Sequence, residues 1–396
     1  MIDLITESKA LQDELIAIRR QIHKNPELGM KLPATTALVR EKLTAMGYQV
    51  KDVGPSGLSV TVGKGDKCFL LRADMDALPV TEDTDLDFKS TNGAMHACGH
   101  DLHTTMLLGA AKLLKAHEAE IKGVVKLMFQ PGEETLEGAK SMVAEGILEN
   151  PRVDAAAMFH VAAGFPMPTG IILVPGGGAF SSASDSFEIT IRGKGGHGAM
   201  PDQCVDPLLV ASHLYQALQT IVSREVVPAE TAIITVGMLH AGEANNVIPE
   251  TALMKGTIRT YNNDVRKFIL ERVPALSRSI AESFRAKAEP LIIEGCPSVI
   301  IDAKVSADVR ASLADLFGAT VVDPAKLGFA RLGGSEDFSF ITQKVPSVMM
   351  MLNAGSPEEG YAYSMHHPKA KYNEAVLSQG AAAYAATALG WLEKNG

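Results

Sequence analysis

Apolar residues recur at helical spacing at Leu4, Leu11, Leu15, Ile18 and Ile22, predicting a helical stripe over residues 3–24 that Asn25-Pro26 closes. A second helix is expected over 34–46, with Gly47 as its C-terminal stop. Short apolar runs at 48–53, 58–62 and 68–71 then read as strands, and two more follow at 124–129 and 154–159. Helical segments near 104–114 and 138–145 separate these last strands, and strands alternating with helices predict a mostly parallel α/β sheet flanked by helices. From about residue 182 the pattern changes. Ser186 to Arg192 alternates with period two, as a half-exposed strand does. A helix at 207–224, strands at 231–239 and 251–260, a helix at 264–285 and a strand at 287–293 complete a βαββαβ order, that of a ferredoxin-like α+β unit. Alternation resumes beyond 298, with a strand at 346–352 and a closing helix at 373–394.

The expected fold class is therefore α/β, with an inserted α+β lid. Residues 1–181 and 297–396 form one domain and 182–296 the insert. A chain of 396 residues is long enough for two cores. The formal net charge is −9 and no long basic run occurs, which argues against nucleic acid or an anionic membrane surface as partner. A small anionic substrate stays open, since a single Arg can hold a carboxylate. The first residues carry no basic and apolar leader pattern, and no apolar run approaches the ~20 residues that span a bilayer. Cys68, Cys98, Cys204 and Cys296 are scattered without a Cys-x-x-Cys pair, so the expected compartment is a reducing cytoplasm.

Candidate chemistry gathers where the strands of the first domain end. One runs into Arg72-Ala73-Asp74-Met75-Asp76-Ala77-Leu78-Pro79, the next into Gln130-Pro131-Gly132-Glu133-Glu134, and a third into His160. The carboxyl ends of such strands are where open α/β sheets place their sites. Between the first two lies His96-Ala97-Cys98-Gly99-His100-Asp101-Leu102-His103. Cys98 and His100, two apart in an extended loop, can converge on one borderline-soft divalent ion such as zinc. A buried Cys and a helix-capping His are the bland alternative for this stretch, as a surface Glu pair is for Glu133-Glu134. Pro175-Gly176-Gly177-Gly178 lacks the Gly-Lys-Ser/Thr ending of a phosphate loop and reads as a hinge.

Taken in order, these motifs resemble the metal-dependent amidohydrolases of the aminoacylase/carboxypeptidase clan. Further along, Gly195-Gly196-His197-Gly198-Ala199-Met200-Pro201, Asn246-Val247-Ile248-Pro249 and Gly334-Ser335-Glu336-Asp337-Phe338 extend the likeness over nearly the whole chain. The Cys-Gly-His-Asp-x-His motif is similar to the branch that holds hippurate hydrolases, auxin-conjugate hydrolases and N-acyl-amino-acid deacylases. The resemblance implies two divalent metal ions per subunit, zinc first, with manganese, cobalt or nickel open. It places their ligands on Cys98, His100, Glu134, His160 and a C-terminal His, and gives Cys98 the bridging position. The His-x-Pro pattern in Met365-His366-His367-Pro368 favours His366 over His367 for the last ligand. Glu133 takes the role of general base, with one carboxylate of the pair holding metal while its neighbour moves the proton. Asp74 and Asp76 are expected to orient a ligand imidazole, with a strand-end turn as the alternative, and His103 to act beside them. His197 is implied as an oxyanion donor reaching across a dimer, and Asn246 and Arg259 as holders of the substrate carboxylate, an ordinary strand salt bridge being the alternative for Arg259.

The reaction so implied is cleavage of an N-acyl-amino acid to a carboxylic acid and a free amino acid, by a homodimer or higher homo-oligomer joined through the lid domain. A di- or tripeptide-cleaving metallopeptidase of the same clan is the alternative, and a non-catalytic metal-binding homologue a further one. No Gly-x-Ser-x-Gly elbow supports a serine nucleophile. The Gly176-Gly177-Gly178 run and the Val161-Ala162-Ala163-Gly164-Phe165 segment after His160 depart from the family pattern, which leaves the acyl group unassigned.

Overall fold

The computed structural model describes residues 2–396, and contacts within the chain divide it into two units. The first runs through Gly178 and resumes at Ile300–Ala330 and Asp337–Gly396; the second comprises Ala179–Val299 and Arg331–Glu336. The short segment 331–336, expected in the first domain, groups with the second. Ser182 Oγ donates to the Gly333 carbonyl at 2.9 Å, and the Tyr261 hydroxyl donates to the Leu332 carbonyl at 2.9 Å.

The first unit is built on a seven-stranded sheet. Its path runs Lys51–Val53, Gly57–Asp74, Ala155–Ala162, Ser347–Asn353, Ile172–Leu173, Val321–Val322, with Lys122–Gln130 pairing to Gly57–Asp74. The central strands run parallel, Leu71 opposite Ala157 and Met351 opposite His160. Every residue of Ala155–Ala162 and of Ser347–Asn353 is buried, as strands covered on both faces must be. The runs expected at 58–62 and 68–71 lie in one continuous extended segment, Gly57–Asp74, that turns back near Gly63 and Gly65, both at positive φ, so that 58–63 pair antiparallel and 68–74 parallel with Lys122–Gln130. The N-terminal stripe is two helices, Leu4–Ala10 and Gln12–His23, rather than one.

Two departures bear on the site. The helix expected to begin near residue 104 begins at His100, because Gly99 at φ 85° turns the chain directly into it. A Cβ at Gly99 would lie 2.4 Å from Val161 Cγ2, so the turn needs glycine twice over. Cys98 and His100 therefore converge across a left-handed turn and not along an extended loop. His160, expected at a strand end, lies inside Ala155–Ala162, which continues two residues further.

The second unit is a four-stranded antiparallel sheet in the order Lys287–Cys296, Ala183–Arg192, Thr251–Thr260, Ala232–Ala241. Helices Pro207–Thr220 and Asn263–Ser283 complete the βαββαβ order. Strand Ala183–Arg192 alternates buried and half-buried residues along its length. Its inward Phe187, Ile189 and Ile191 pack with Leu214, Leu218, Ile269 and Val273 of the two helices to make this unit's own core. Among the described residues, no helix is long and apolar enough to cross a membrane.

Candidate metal centre

Among the donor groups that converge in the first unit, two share one atom of Cys98. Cys98, His100 and His160 bring their ligand atoms within 4.8 Å of one another, and so do Cys98, Glu134 and His366. Cys98 Sγ lies 3.5 Å from His160 Nε2 and 3.2 Å from His366 Nε2. Glu134 Oε1 lies 3.6 Å from His366 Nε2 and 3.9 Å from His100 Nε2. The five residues predicted as ligands thus meet, with the thiol between the two groups.

Backbone carbonyls set the tautomers. His100 Nδ1 donates to the Asp76 carbonyl at 2.9 Å and His160 Nδ1 to the Val161 carbonyl at 2.6 Å. A carbonyl only accepts, so both rings carry a proton on Nδ1 and turn Nε2 toward Cys98; burial would lower the His100 pKa, but Asp74 and Cys98 outweigh it and hold it well above the usual imidazole value. Burial, with His103 nearby, holds the His160 pKa well below the usual imidazole value and keeps its Nε2 lone pair available. His366 adopts φ 67°, an unusual conformation for a β-carbon residue, while its N–H donates to the Ala97 carbonyl at 2.9 Å. His367 is engaged otherwise: its ring stacks on Tyr363 and its Nδ1 accepts from Lys369 N at 3.0 Å.

The donor set fits a pair of divalent cations on the structure's own terms. His100 Nε2 and Glu134 Oε1 are buried without a hydrogen-bond partner, a costly arrangement unless something cationic meets them. Burial pushes the Cys98 thiol up and raises the Glu134 carboxyl, and coordinated cations reverse both shifts by binding the anions. Cys98, His100, His160, Glu134 and His366 would hold the ions, with a soft thiolate suited to zinc or a similar metal.

Asp76 reaches His100 Nδ1 through its main-chain carbonyl at 2.9 Å, with its carboxylate Oδ1 3.5 Å from the same nitrogen, and the carboxylate also holds the neighbouring backbone. Oδ1 accepts the Glu133 N–H at 3.0 Å and Oδ2 the Glu134 N–H at 3.1 Å, so Asp76 fixes the loop that carries both glutamates. Asp74 accepts from His103 Nδ1 at 2.6 Å, and His103 Nε2 accepts the Val161 N–H at 2.8 Å. Asp74 therefore orients His103, and His103 holds the backbone beside His160. Burial would raise the Asp74 carboxyl, but Arg72, His100 and His103 outweigh it and hold it well below the ordinary range. Glu133 Oε2 lies 3.9 Å from His100 Nε2, and Glu133, His100 and Glu134 make a further group of converging donors.

Sequence reasoning quoted Arg72 and Asp337 without giving them a role. Wholly buried Arg72 donates to Asp74 at 2.7 Å, Asp337 at 2.8 Å and Gln130 at 2.8 Å, and Asp337 also accepts the Ala139 N–H at 2.8 Å. An Arg and an Asp inside apolar strand and motif contexts were the available signal, since neither is buried unpaired.

His197, Asn246 and Arg259 lie in the second unit. His197 and Val247 pair across a short antiparallel bridge, and Gly198 N donates to the Asn246 carbonyl at 2.8 Å, so His197 and Asn246 are neighbours. His197 is exposed, and its Nδ1 accepts the Ala199 N–H at 3.1 Å, which leaves the proton on Nε2. Arg259 sits on strand Thr251–Thr260 and donates from Nη1 to Ser335 Oγ at 2.8 Å.

Five converging donor side chains on an interrupted α/β unit suit a metal-dependent hydrolase, the class that the comparisons with known proteins show. The family description "Peptidase family M20/M25/M40" matches residues 70–390, and the chain belongs to that family. It is 37% identical over 396 residues to IAA-amino acid hydrolase ILR1-like 2 of Arabidopsis thaliana, covering 98% of this chain and 88% of that protein. It is 36% identical over 400 residues to the hippurate hydrolase of Campylobacter jejuni, covering 99% and 100%. Among solved structures, a dinuclear metal binding peptidase of the M20 family from Bacillus subtilis superposes with TM-score 0.82 at 31% identity, over 97% of this chain and 99% of that one.

Proposed function

We propose that the protein hydrolyses the amide bond of N-acyl-amino acids, releasing a carboxylic acid and a free amino acid, with two divalent ions held by Cys98, His100, Glu134, His160 and His366. The observation that carries this reading is the pair of donor groups sharing Cys98 Sγ, with Glu133 on the loop that Asp76 holds. When bound, the ions supply Lewis acidity, polarising the amide carbonyl and easing deprotonation of the attacking water. Glu133 takes that water's proton as the oxygen adds to the carbonyl carbon, then hands it to the amine nitrogen as the C–N bond breaks. His197, protonated on Nε2, is assigned to donate to the developing oxyanion, and Asn246 and Arg259 to hold the substrate's carboxylate. Zinc is the first assignment for the metal, with manganese, cobalt and nickel the alternatives.

The likeness to enzymes named for amino-acid conjugates supports an acylated substrate. The likeness to a protein named as a peptidase favours the second reading, cleavage of a small peptide with a free amine. Exposed Leu208, Leu209 and Tyr215 on helix Pro207–Thr220 support a homodimer formed through the second unit. Cys68, Cys98, Cys204 and Cys296 form no disulfide among the described residues, which fits a reducing compartment such as the cytoplasm. The experiment is release of free amine from a panel of N-acyl-amino acids and dipeptides by chelator-stripped protein, with and without added zinc, manganese or cobalt. Metal-restored cleavage of the acylated substrates is expected. Cleavage confined to free-amine dipeptides would replace this reading with the peptidase one.

A further inference from the structure

The stretch His96–His103 contains two groups that the metal centre does not use. Neither ring nitrogen of buried His96 finds a hydrogen-bond partner, and its ring lies 6.3 Å from that of His23. Asp101, wholly buried, stands one residue after His100 in the first turn of helix His100–Ala116. Among the described residues it joins none of the ligand groups, although it lies within three residues of both Cys98 and His100.

Its carboxylate is committed elsewhere. Asp101 Oδ2 lies 2.7 Å from Arg19 Nε and 2.8 Å from His23 Nδ1, both on helix Gln12–His23. On its other side His23 Nε2 lies 3.2 Å from Glu82 Oε1. Glu82 in turn accepts from the Thr84 hydroxyl at 2.5 Å and from Ser90 N at 2.7 Å. Arg19 Nη1 continues to Glu374 Oε1 at 3.3 Å, and its guanidinium stands 4.8 Å from the Phe88 ring centroid. His23 thus has a carboxylate at each ring nitrogen, with Arg19 Nη2 also 3.3 Å from Nδ1.

Four buried charged groups are a poor device for stability, because the desolvation cost roughly cancels the attraction. What such a cluster does provide is direction: each partner must sit where the others demand. Here the demanded position is the backbone turn that carries Cys98 and His100. We propose that Arg19, His23, Glu82 and Asp101 form a positioning frame for the metal loop. The frame clamps the first turn of helix His100–Ala116, holds Cys98 and His100 at ligand spacing, and keeps the Asp101 carboxylate away from the metals. The proposal rests on the dinuclear reading of the centre.

The test uses the full chain with Asp101→Asn, Arg19→Lys and, as a control at the solvent end of the network, Glu374→Gln. Three quantities are read: zinc and cobalt affinity by competition with a chromophoric chelator, the thiolate-to-cobalt absorption band, and thermal unfolding of the metal-free protein. Asp101→Asn is expected to weaken metal binding about 10- to 100-fold, the range for partners that orient ligands, and to alter the cobalt band. Arg19→Lys keeps a cation without the planar fork, so it should lose less affinity and shift the band in the same direction. Glu374→Gln should change neither. If Asp101→Asn does not fold, Arg19→Lys carries the test alone. Variants that melt at lower temperature yet bind both ions with wild-type affinity and spectrum would overturn the frame and leave a merely structural cluster. A wild-type chain that binds fewer than two ions would overturn the dinuclear reading, and the frame with it.

Discussion

Asp76→Asn isolates the part of the centre that positions the two glutamates. The native carboxylate offers one oxygen to the Glu133 N–H at 3.0 Å and the other to the Glu134 N–H at 3.1 Å, in a wholly buried position. An amide keeps one oxygen and replaces the second by an NH2, which sets donor against donor. A hydrogen bond to a charged group contributes about 1.5–3 kcal/mol, and a buried N–H left without an acceptor costs about 1–3 kcal/mol. The expected destabilisation is on the order of 3 kcal/mol, less whatever the loop recovers by turning. That turning moves Glu133 and Glu134 together, and a misplacement of about 1 Å at a reacting group costs roughly 100-fold in rate. The assay is kcat and KM on an N-acyl-amino acid beside urea unfolding of the metal-free protein. A kcat near one hundredth of wild type, KM close to unchanged and a lower urea midpoint are expected. Wild-type kcat with an unchanged midpoint would refute the assignment of Asp76 as the support of this loop.

Cys98→Ala removes the atom common to both donor groups, so equilibrium dialysis should find fewer than two ions per chain; an unaltered count would refute the bridging thiolate. Arg72→Met leaves the Asp74 and Asp337 carboxylates buried without their shared cation, and breaking such a pair costs about 3–5 kcal/mol. Its urea midpoint should therefore drop sharply or the chain fail to accumulate in soluble form. Cys68 is buried, which pushes its thiol pKa up to about 11. Only about one molecule in a thousand carries the thiolate at pH 8, so iodoacetamide should leave Cys68 unmodified in the folded protein and label it in urea.

Much of the centre was legible because its chemistry resides in side-chain identity. His160 stands in an apolar strand and Cys98 and His100 in one short motif, the family resemblance added Glu134 and His366, and the structure brings all five together. The alternation from Ser186 to Arg192 likewise appears as alternating burial along its strand. What escaped the sequence lies in the backbone or in long separations. The Asp76 carbonyl that meets His100 has the same chemistry in any residue type, and the grip of the Asp76 carboxylate on the Glu133 and Glu134 N–H groups spans 57 and 58 residues. The early start of helix His100–Ala116 depends on Gly99 being left-handed, and a glycine between two candidate ligands is compatible with several turns. Arg72 and Asp337 are 265 residues apart, and only the folded sheet shows that they pair. Arg19 and His23 occupy an ordinary helical stripe, and nothing local ties them to Asp101.

The central claim, that this centre holds two ions and uses Glu133 to move the proton, is tested most directly by Glu133→Gln. Metal content and turnover of an N-acyl-amino acid are measured on the same preparation. Two divalent ions per chain, with turnover reduced about 100- to 10,000-fold, is the predicted result, the range expected for loss of a general base. Two ions with turnover near that of the wild type would contradict it.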